Sequence, residues 1–408
     1  MPSTPSPSPE SSAARSPLWR NLIRQALLAL AVAIMAGSAS ALFLAGLHLA
    51  THWAQTHHPW IWGLPLAGAL TAWVYSRWGR DVEAGNNLLI DEIHQPQAVV
   101  PVRMAPLILV ATWVSHLFGA SVGREGTAVQ MGGALADQLT RWCRLDAHQR
   151  RIVLQAGVAA GFSSVFGTPL AGAIFALEVL TRGRLAHEAL WPCLVAALAA
   201  NEVTSAWGIH HERTAVPTWA GWSLHSLGAV VLTGLACALA AWAFARLAHE
   251  GSSAFKRVLP DARLRALAGG AVFAAVISLS GGWAYAGLGT DGIAAALQGQ
   301  APVWAFAAKS VATVWCLSAG FKGGEVTPLF FIGASLGCAL EGLTGMPAGS
   351  LSALALVAVF AGATKTPLAC SLMAIELFGA SMATPALLTC ALAFAASGRT
   401  GIYKAQRT

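Results

Sequence analysis

Apolar residues run along this chain in long blocks rather than in alternation. "QALLALAVAIMAGSASALFLAGLHLA", "LGAVVLTGLACALAAWAFARLA" and "LVAVFAGATKTPLACSLMAIELFGA" each reach the roughly 20 residues a helix needs to cross a hydrocarbon core. The blocks are interrupted at glycine-rich polar points. "GREGT", "GFKGGEVTP" and "GNNLLIDE" each set glycines or polar residues just before a helical apolar run. The pattern predicts a bundle of transmembrane helices, several of which start inside the bilayer. A helix that begins there leaves backbone N–H groups unsatisfied and presents a positive dipole end. Several such ends converging make an anion site without a fixed positive charge.

Composition fixes the solvent. Of 408 residues, 56% are hydrophobic and 11% charged, against about 25% charged in a soluble domain, and mean hydropathy is +0.59. This is an all-α polytopic membrane protein. The opening "MPSTPSPSPESSAARSP" has no apolar face and no signal-peptide core, so residues 1–20 are expected to form a disordered tail. Arg15, Arg20 and Arg24 precede the first apolar block, and Lys404 and Arg407 follow the last. The positive-inside rule then puts both termini in the cytoplasm. The net charge of +7 suits loops facing anionic headgroups and calls for no nucleic acid. Seven cysteines without C-x-x-C spacing read as small buried hydrophobes. No H-E-x-x-H is present, so neither a metal, a cofactor nor a metalloprotease is expected.

The chain also repeats itself. Glu125 and Thr127 of "GREGTAVQMGGA" recur 200 residues later as Glu325 and Thr327 of "GGEVTPLFFIGA", with Gly133-Ala134 falling on Gly333-Ala334. "TPLAGAIFALE" recurs at an offset of 198 as "TPLACSLMAIE". The expected division is a first membrane repeat over 21–207, a polar linker over 208–218 and a second repeat over 219–408. With both termini inside and the linker outside, each half crosses an odd number of times and the halves are inverted. Inverted repeats with interrupted segments at matching positions mark transport proteins with a mid-membrane substrate site.

At these motifs the sequence resembles the CLC family of chloride channels and anion/proton antiporters. "GREGT" resembles that family's G-[KR]-E-G-P, "GGEVTP" its G-G-x-F-x-P and "GNNLL" its G-S-G-[IL]-P; Tyr403 in "GIY" matches its late tyrosine. The resemblance implies broken and tilted helices in a homodimer with one pore per subunit, with no soluble domain after Tyr403. The departures point to one branch. Asn86 and Asn87 stand in the first motif, Thr127 ends the second, Val326 replaces the phenylalanine between Glu325 and Thr327, and Val179 stands where chloride/proton antiporters carry an inner glutamate. This set is similar to the fluoride/proton antiporters. It implies a secondary transporter, not an enzyme, exporting fluoride against protons from a bacterial inner membrane; a chloride/proton antiporter or passive chloride channel is the alternative.

Each site residue has a plain reading beside this one. Glu125 could merely cap a helix beside Arg124, but a carboxylate inside a membrane is costly and usually functional. It competes with the transported anion and carries a proton, and so serves as a gate. Glu325, the repeat counterpart of Glu125 in this alignment, is expected to couple protons to the anion. Thr327 offers a hydroxyl donor or bonds its own helix turn. Asn86 and Asn87 suit a turn as well as a donor role. By the resemblance, Gly126, Val326 and Tyr403 complete the anion-binding set, Tyr403 also suiting an interfacial anchor. Lys322 either raises the potential for anions or snorkels to an interface. Glu178 and Glu376 are repeat equivalents with an expected structural role, and "DEIH" (residues 91–94) is expected to be solvated.

Overall fold

A computed structural model describes residues 18–211, 216, 219 and 221–408. Most of the tail and residues 212–215 and 217–218 of the linker lie outside the described residues. Helix begins at Leu18, inside the stretch expected to be tail.

The first series of helices is α1 (Leu18–Thr56), α2 (Leu64–Trp78), α3 (Asn86–His94), α4 (Met104–Leu117), α5 (Glu125–Trp142), α6 (Ala147–Phe166), α7 (Pro169–Glu178) and α8 (Leu190–Ala206). The second is α9 (Leu224–Val258), α10 (Ala262–Ser280), α11 (Thr290–Leu297), α12 (Ala305–Ala319), α13 (Val326–Ala339), the single turn α14 (Glu341–Thr344), α15 (Ala348–Thr364), α16 (Pro367–Phe378) and α17 (Ala383–Ala396). Setting α14 aside, the two series run in the same order of long and short helices. α1 has 39 residues, about 58 Å at ~1.5 Å per residue, so it must tilt in a ~30 Å core. α3, α7 and α11 have 9, 10 and 8 residues and are too short to cross. Among the described residues, five helical stretches are long and apolar enough to do so: Trp19–Thr56, His187–Ala206, Leu224–Val258, Ala262–Ser280 and Val326–Thr344.

The centre is built from helices with no polar face. Every residue of α15 is buried, as is α13 from Val326 to Cys338. α5 packs on α6 and α13 on α15, while α1 and α9 pack on α8 and α17 at the periphery. The peripheral helices turn leucines such as Leu27, Leu42, Leu49 and Leu239 outward, as lipid permits. Local chemistry sets the breaks. α6 starts on Asp146, whose carboxylate accepts from Gln149 N–H at 2.9 Å, and ends on left-handed Gly167 (φ 69°) before Thr168-Pro169 restarts the chain. α15 ends in the same way before Thr366-Pro367, but the left-handed residue there is Lys365 (φ 63°). Its ammonium is buried and donates to Ser397 Oγ at 2.7 Å and to the Ser397 carbonyl at 3.1 Å, a tether that offsets the steric cost.

The halves meet about their own counterparts. The Glu178 carboxylate of α7 accepts from Leu368 and Ala369 N–H of α16 at 3.1 and 2.9 Å. Glu376 of α16 accepts from Leu170 and Ala171 N–H of α7 at 2.9 and 2.8 Å. Each helix thus caps the other's start with a carboxylate near its own end, which requires them to run antiparallel about a pseudo-twofold axis. This is the inverted relation the repeats predict, and it gives Glu178 and Glu376 their structural role.

The register of the repeat differs from the sequence alignment. Gly123 and Gly324 form an antiparallel bridge, α5 begins at Glu125 and α13 at Val326, and their N-caps are Arg124 and Glu325. The offset here is therefore 201, not 200. Glu325 is the counterpart of Arg124, Val326 of Glu125, Thr327 of Gly126 and Pro328 of Thr127. The glycines agree: a Cβ on Gly132 would lie 2.3 Å from the Gly157 carbonyl, and one on Gly333 would lie 2.3 Å from that of Ala355.

"DEIH" is solvated only in part, Asp91 being exposed. Glu92 and Ile93 are buried, and Arg150 bridges the Glu92 carboxylate at 2.9 Å and that of Asp137 at 2.8 Å. The two carboxylates take up the Gln97 and Val100 N–H groups at 2.9 and 2.7 Å. Burial forces this pairing, because an uncompensated ion here would be prohibitive.

Candidate anion site

Three helix starts converge at the middle of the chain's fold. α5 and α13 abut end to end through the Gly123–Gly324 bridge, with N–H to carbonyl distances of 2.5 and 2.8 Å in the two directions. The approach demands glycine: a Cβ on Gly324 would sit 2.7 Å from the Gly126 nitrogen. α3 joins them, because a Cβ on Gly126 would lie 3.0 Å from Asn86 Nδ2 and 3.9 Å from Glu325 Oε2.

Glu125 lies in this junction, 1% exposed. Its Oε2 accepts from the Thr327 N–H at 3.0 Å and the Arg124 N–H at 3.1 Å. Its Oε1 accepts from the Thr327 hydroxyl and, at 3.4 Å, from Arg124 Nε. The carboxylate therefore occupies the first turn of α13, where backbone donors and the helix dipole favour an anion. Thr327 spends its hydroxyl across the halves, not within its own turn. Val326 beside it is 1% exposed and apolar.

Beside the junction is a polar cavity of about 170 Å³, lined by Asn86, Asn87, Gln130, Glu325, Tyr403, Tyr75 and Lys322, among others. Asn86 and Glu325 each turn one buried oxygen, Oδ1 and Oε2, to positions without a hydrogen-bond partner. Buried acceptors of this kind want a donor, and for a carboxylate a proton suffices. Asn87 also carries a structural load, its Oδ1 accepting from the Ala405 N–H at 3.0 Å. This holds the final segment, and with it Tyr403, against α3. Lys322 stands over the Tyr75 ring with Nζ 4.2 Å from its centre. Val179 is buried, and its carbonyl accepts from Gln406 Nε2 at 3.0 Å.

The structure thus gathers Glu125, Glu325, Asn86, Gly126, Val326 and Thr327 at one junction, with Asn87 and Tyr403 on the adjoining cavity. Sequence reading missed Tyr75 and Gln130. The chain has three tyrosines, and two of them line this cavity, a scarcity that was itself a signal. Gln130 faces Gly85, which takes φ 60° ahead of α3, and no motif singles it out. Among the described residues no group of three or more His, Cys, Asp or Glu stands ready to hold a metal ion.

Comparison with known proteins identifies the family. A family profile described as voltage gated chloride channel matches residues 67–398. The chain is 51% identical over 388 residues to a "Chloride/fluoride channel protein" of Pseudomonas syringae pv. tomato, covering 92% of this chain and 84% of that one. It is 26% identical over 291 residues to an H(+)/Cl(-) exchange transporter, ClcA, of Vibrio parahaemolyticus, covering 67% of this chain and 62% of the other. Among solved structures, a CLC-type fluoride/proton antiporter superposes with a TM-score of 0.93 at 32% identity, over 96% of this chain and all of that one. A slow cyanobacterial Cl-/H+ antiporter superposes at 0.80 with 22% identity, over 92% and 94% of the two chains, a likeness of fold. The chain belongs to the voltage-gated chloride channel (CLC) family.

Proposed function

We propose that this chain exports fluoride from the cytoplasm in exchange for protons moving inward. One observation carries the reading: the Glu125 carboxylate sits on the N-terminal turn of α13, bonded to the Thr327 N–H and hydroxyl, in the place a transported anion would take. Carboxylate and anion exclude one another there. Protonating Glu125 removes the charge that holds it, the side chain leaves, and an anion enters; the return of the ionised carboxylate expels the anion. One side chain thus couples the two fluxes.

Glu325 is the second proton carrier in this scheme. Its unpartnered Oε2 lies beside Gly126 and faces the cavity, so it can pass a proton toward Glu125 where Val179 offers no carboxylate. Fluoride is small and strongly hydrated, and close donors must replace its water. Thr327, Asn86 and the Gly126 backbone supply them, with Val326 keeping the passage narrow and apolar, and Asn87 and Tyr403 forming the cavity at the inner mouth. The names of the Pseudomonas relative and of the antiporter that superposes at 0.93 both include fluoride.

The protein works as a multi-pass homodimer of the bacterial inner membrane, one pore per subunit, with repeats over 21–207 and 219–408 and both termini cytoplasmic. Exposed Leu170, Leu198, Leu368 and Leu387 on α7, α8, α16 and α17 supply an apolar face for the second subunit. Substituting Glu125→Gln and following fluoride and proton movement in liposomes tests the gate. Fluoride flux without proton movement is expected; proton coupling that survives would sink the assignment. A passive channel is the second reading, supported by the name of the Pseudomonas relative, and wild-type fluoride flux with no proton movement would select it.

A further inference from the structure

Residues 121–127 carry Glu125, and two buried hydroxyl bridges bracket them. On one side Thr127 Oγ1 lies 2.7 Å from Thr112 Oγ1 of α4, both side chains fully buried. On the other Ser121 Oγ lies 3.0 Å from Thr313 Oγ1 of α12, and the Ser121 N–H donates to Cys316 Sγ at 3.3 Å on the same helix.

Thr112 and Thr313 are repeat counterparts. They sit at the 201-residue offset that also separates the starts of α4 and α12. Strict repetition would have Thr313 meet the counterpart of Thr127. That residue is Pro328, which has no hydroxyl. Thr313 turns instead across the halves to Ser121. Both threonines therefore hold the segment that contains Glu125, although their own helices belong to different halves. A buried hydroxyl is costly without a partner, so each bridge resists separation of the segment from its helix.

We propose that Thr112 and Thr313 are positioning residues that clamp backbone 121–127 while the Glu125 side chain moves. The proposal rests on the exchanger reading. A fixed backbone keeps the departing and returning carboxylate on one path, so the anion cannot pass while Glu125 is in place. Loosening the clamp then produces leak, fluoride moving without its proton, with no requirement that the anion bind less tightly.

The test is fluoride efflux and proton uptake recorded together in liposomes for wild type, Thr112→Val and Thr313→Val. The protons moved per fluoride are expected to fall roughly threefold to tenfold in each Val variant, as the loss of one hydrogen bond allows. Thr112→Ser and Thr313→Ser restore the wild-type ratio. Thr389→Val is the control: its buried hydroxyl donates only to the Pro385 carbonyl of its own helix, at 2.6 Å, and its ratio stays wild type. If the Val variants do not yield folded protein, Ser121→Ala removes the second bridge from the loop side and is read the same way. A wild-type ratio in the Val variants, or in Ser121→Ala when that stands in, overturns the clamp while leaving the exchanger intact. Wild-type protein that moves fluoride without protons overturns the exchanger, and the clamp with it.

Discussion

The Glu125 carboxylate and the Thr327 N–H stand 3.0 Å apart, although 202 residues separate them along the chain. Each belongs to the first turn of a helix from a different half. The contact exists because two glycines let the helix starts abut, and it fills an anion-binding turn with the protein's own carboxylate. Removing the Thr327 hydroxyl while keeping the N–H should therefore weaken the site without destroying it. A bond to a charged group contributes about 1.5–3 kcal/mol. Thr327→Val should raise the fluoride concentration for half-maximal flux about tenfold or more, and Thr327→Ser should not. An unchanged value in Thr327→Val would show that the hydroxyl never serves the anion.

Gly324 is the residue that makes the junction possible. Gly324→Ala places a methyl group 2.7 Å from the Gly126 nitrogen, against the backbone of residues 125 and 126, with no flexible side chain to yield. Transport should be abolished in protein that still reconstitutes. Normal flux from Gly324→Ala would mean the helix starts can part without consequence.

The Glu178 and Glu376 caps should be worth the same. Losing either leaves two N–H groups of the partner helix uncapped, about 1–2 kcal/mol for a helix cap. Thermal unfolding in detergent should show matching losses for Glu178→Ala and Glu376→Ala. The double variant should be additive, since the caps lie at opposite ends of α7, ~15 Å apart at ~1.5 Å per residue. A large loss for one and none for the other would contradict the pseudo-twofold reading of the pair.

Arg150 holds two buried carboxylates. Arg150→Met should cost about 3–5 kcal/mol, because Glu92 and Asp137 are left unpaired. Adding Glu92→Gln and Asp137→Asn to Arg150→Met should recover part of that loss. No change in unfolding temperature for Arg150→Met would show that the cluster is solvated after all.

These contacts show what the sequence could and could not say. The transmembrane class and the motifs around Glu125, Asn86 and Thr327 were legible because glycines, charges and apolar blocks are local patterns. The register of the repeat was not. "MGGA" offers two adjacent glycines, and Gly133-Ala134 matches Gly333-Ala334 by letter, whereas Gly132 is the one that packs against a carbonyl as Gly333 does. The slip by one made Glu325 the apparent counterpart of Glu125. The Glu92–Arg150 pair was hidden for another reason: its members are 58 residues apart, and Glu92 beside Asp91 and His94 looks like any solvated run. Only the docking of α3 on α6 brings it indoors.

The most direct test of the central claim is anion efflux from liposomes holding the purified protein, comparing fluoride with chloride while internal pH is followed. Fluoride leaving much faster than chloride, with protons entering against it, is the expected result. Equal or chloride-favouring flux, or fluoride flux with no proton movement, would contradict it.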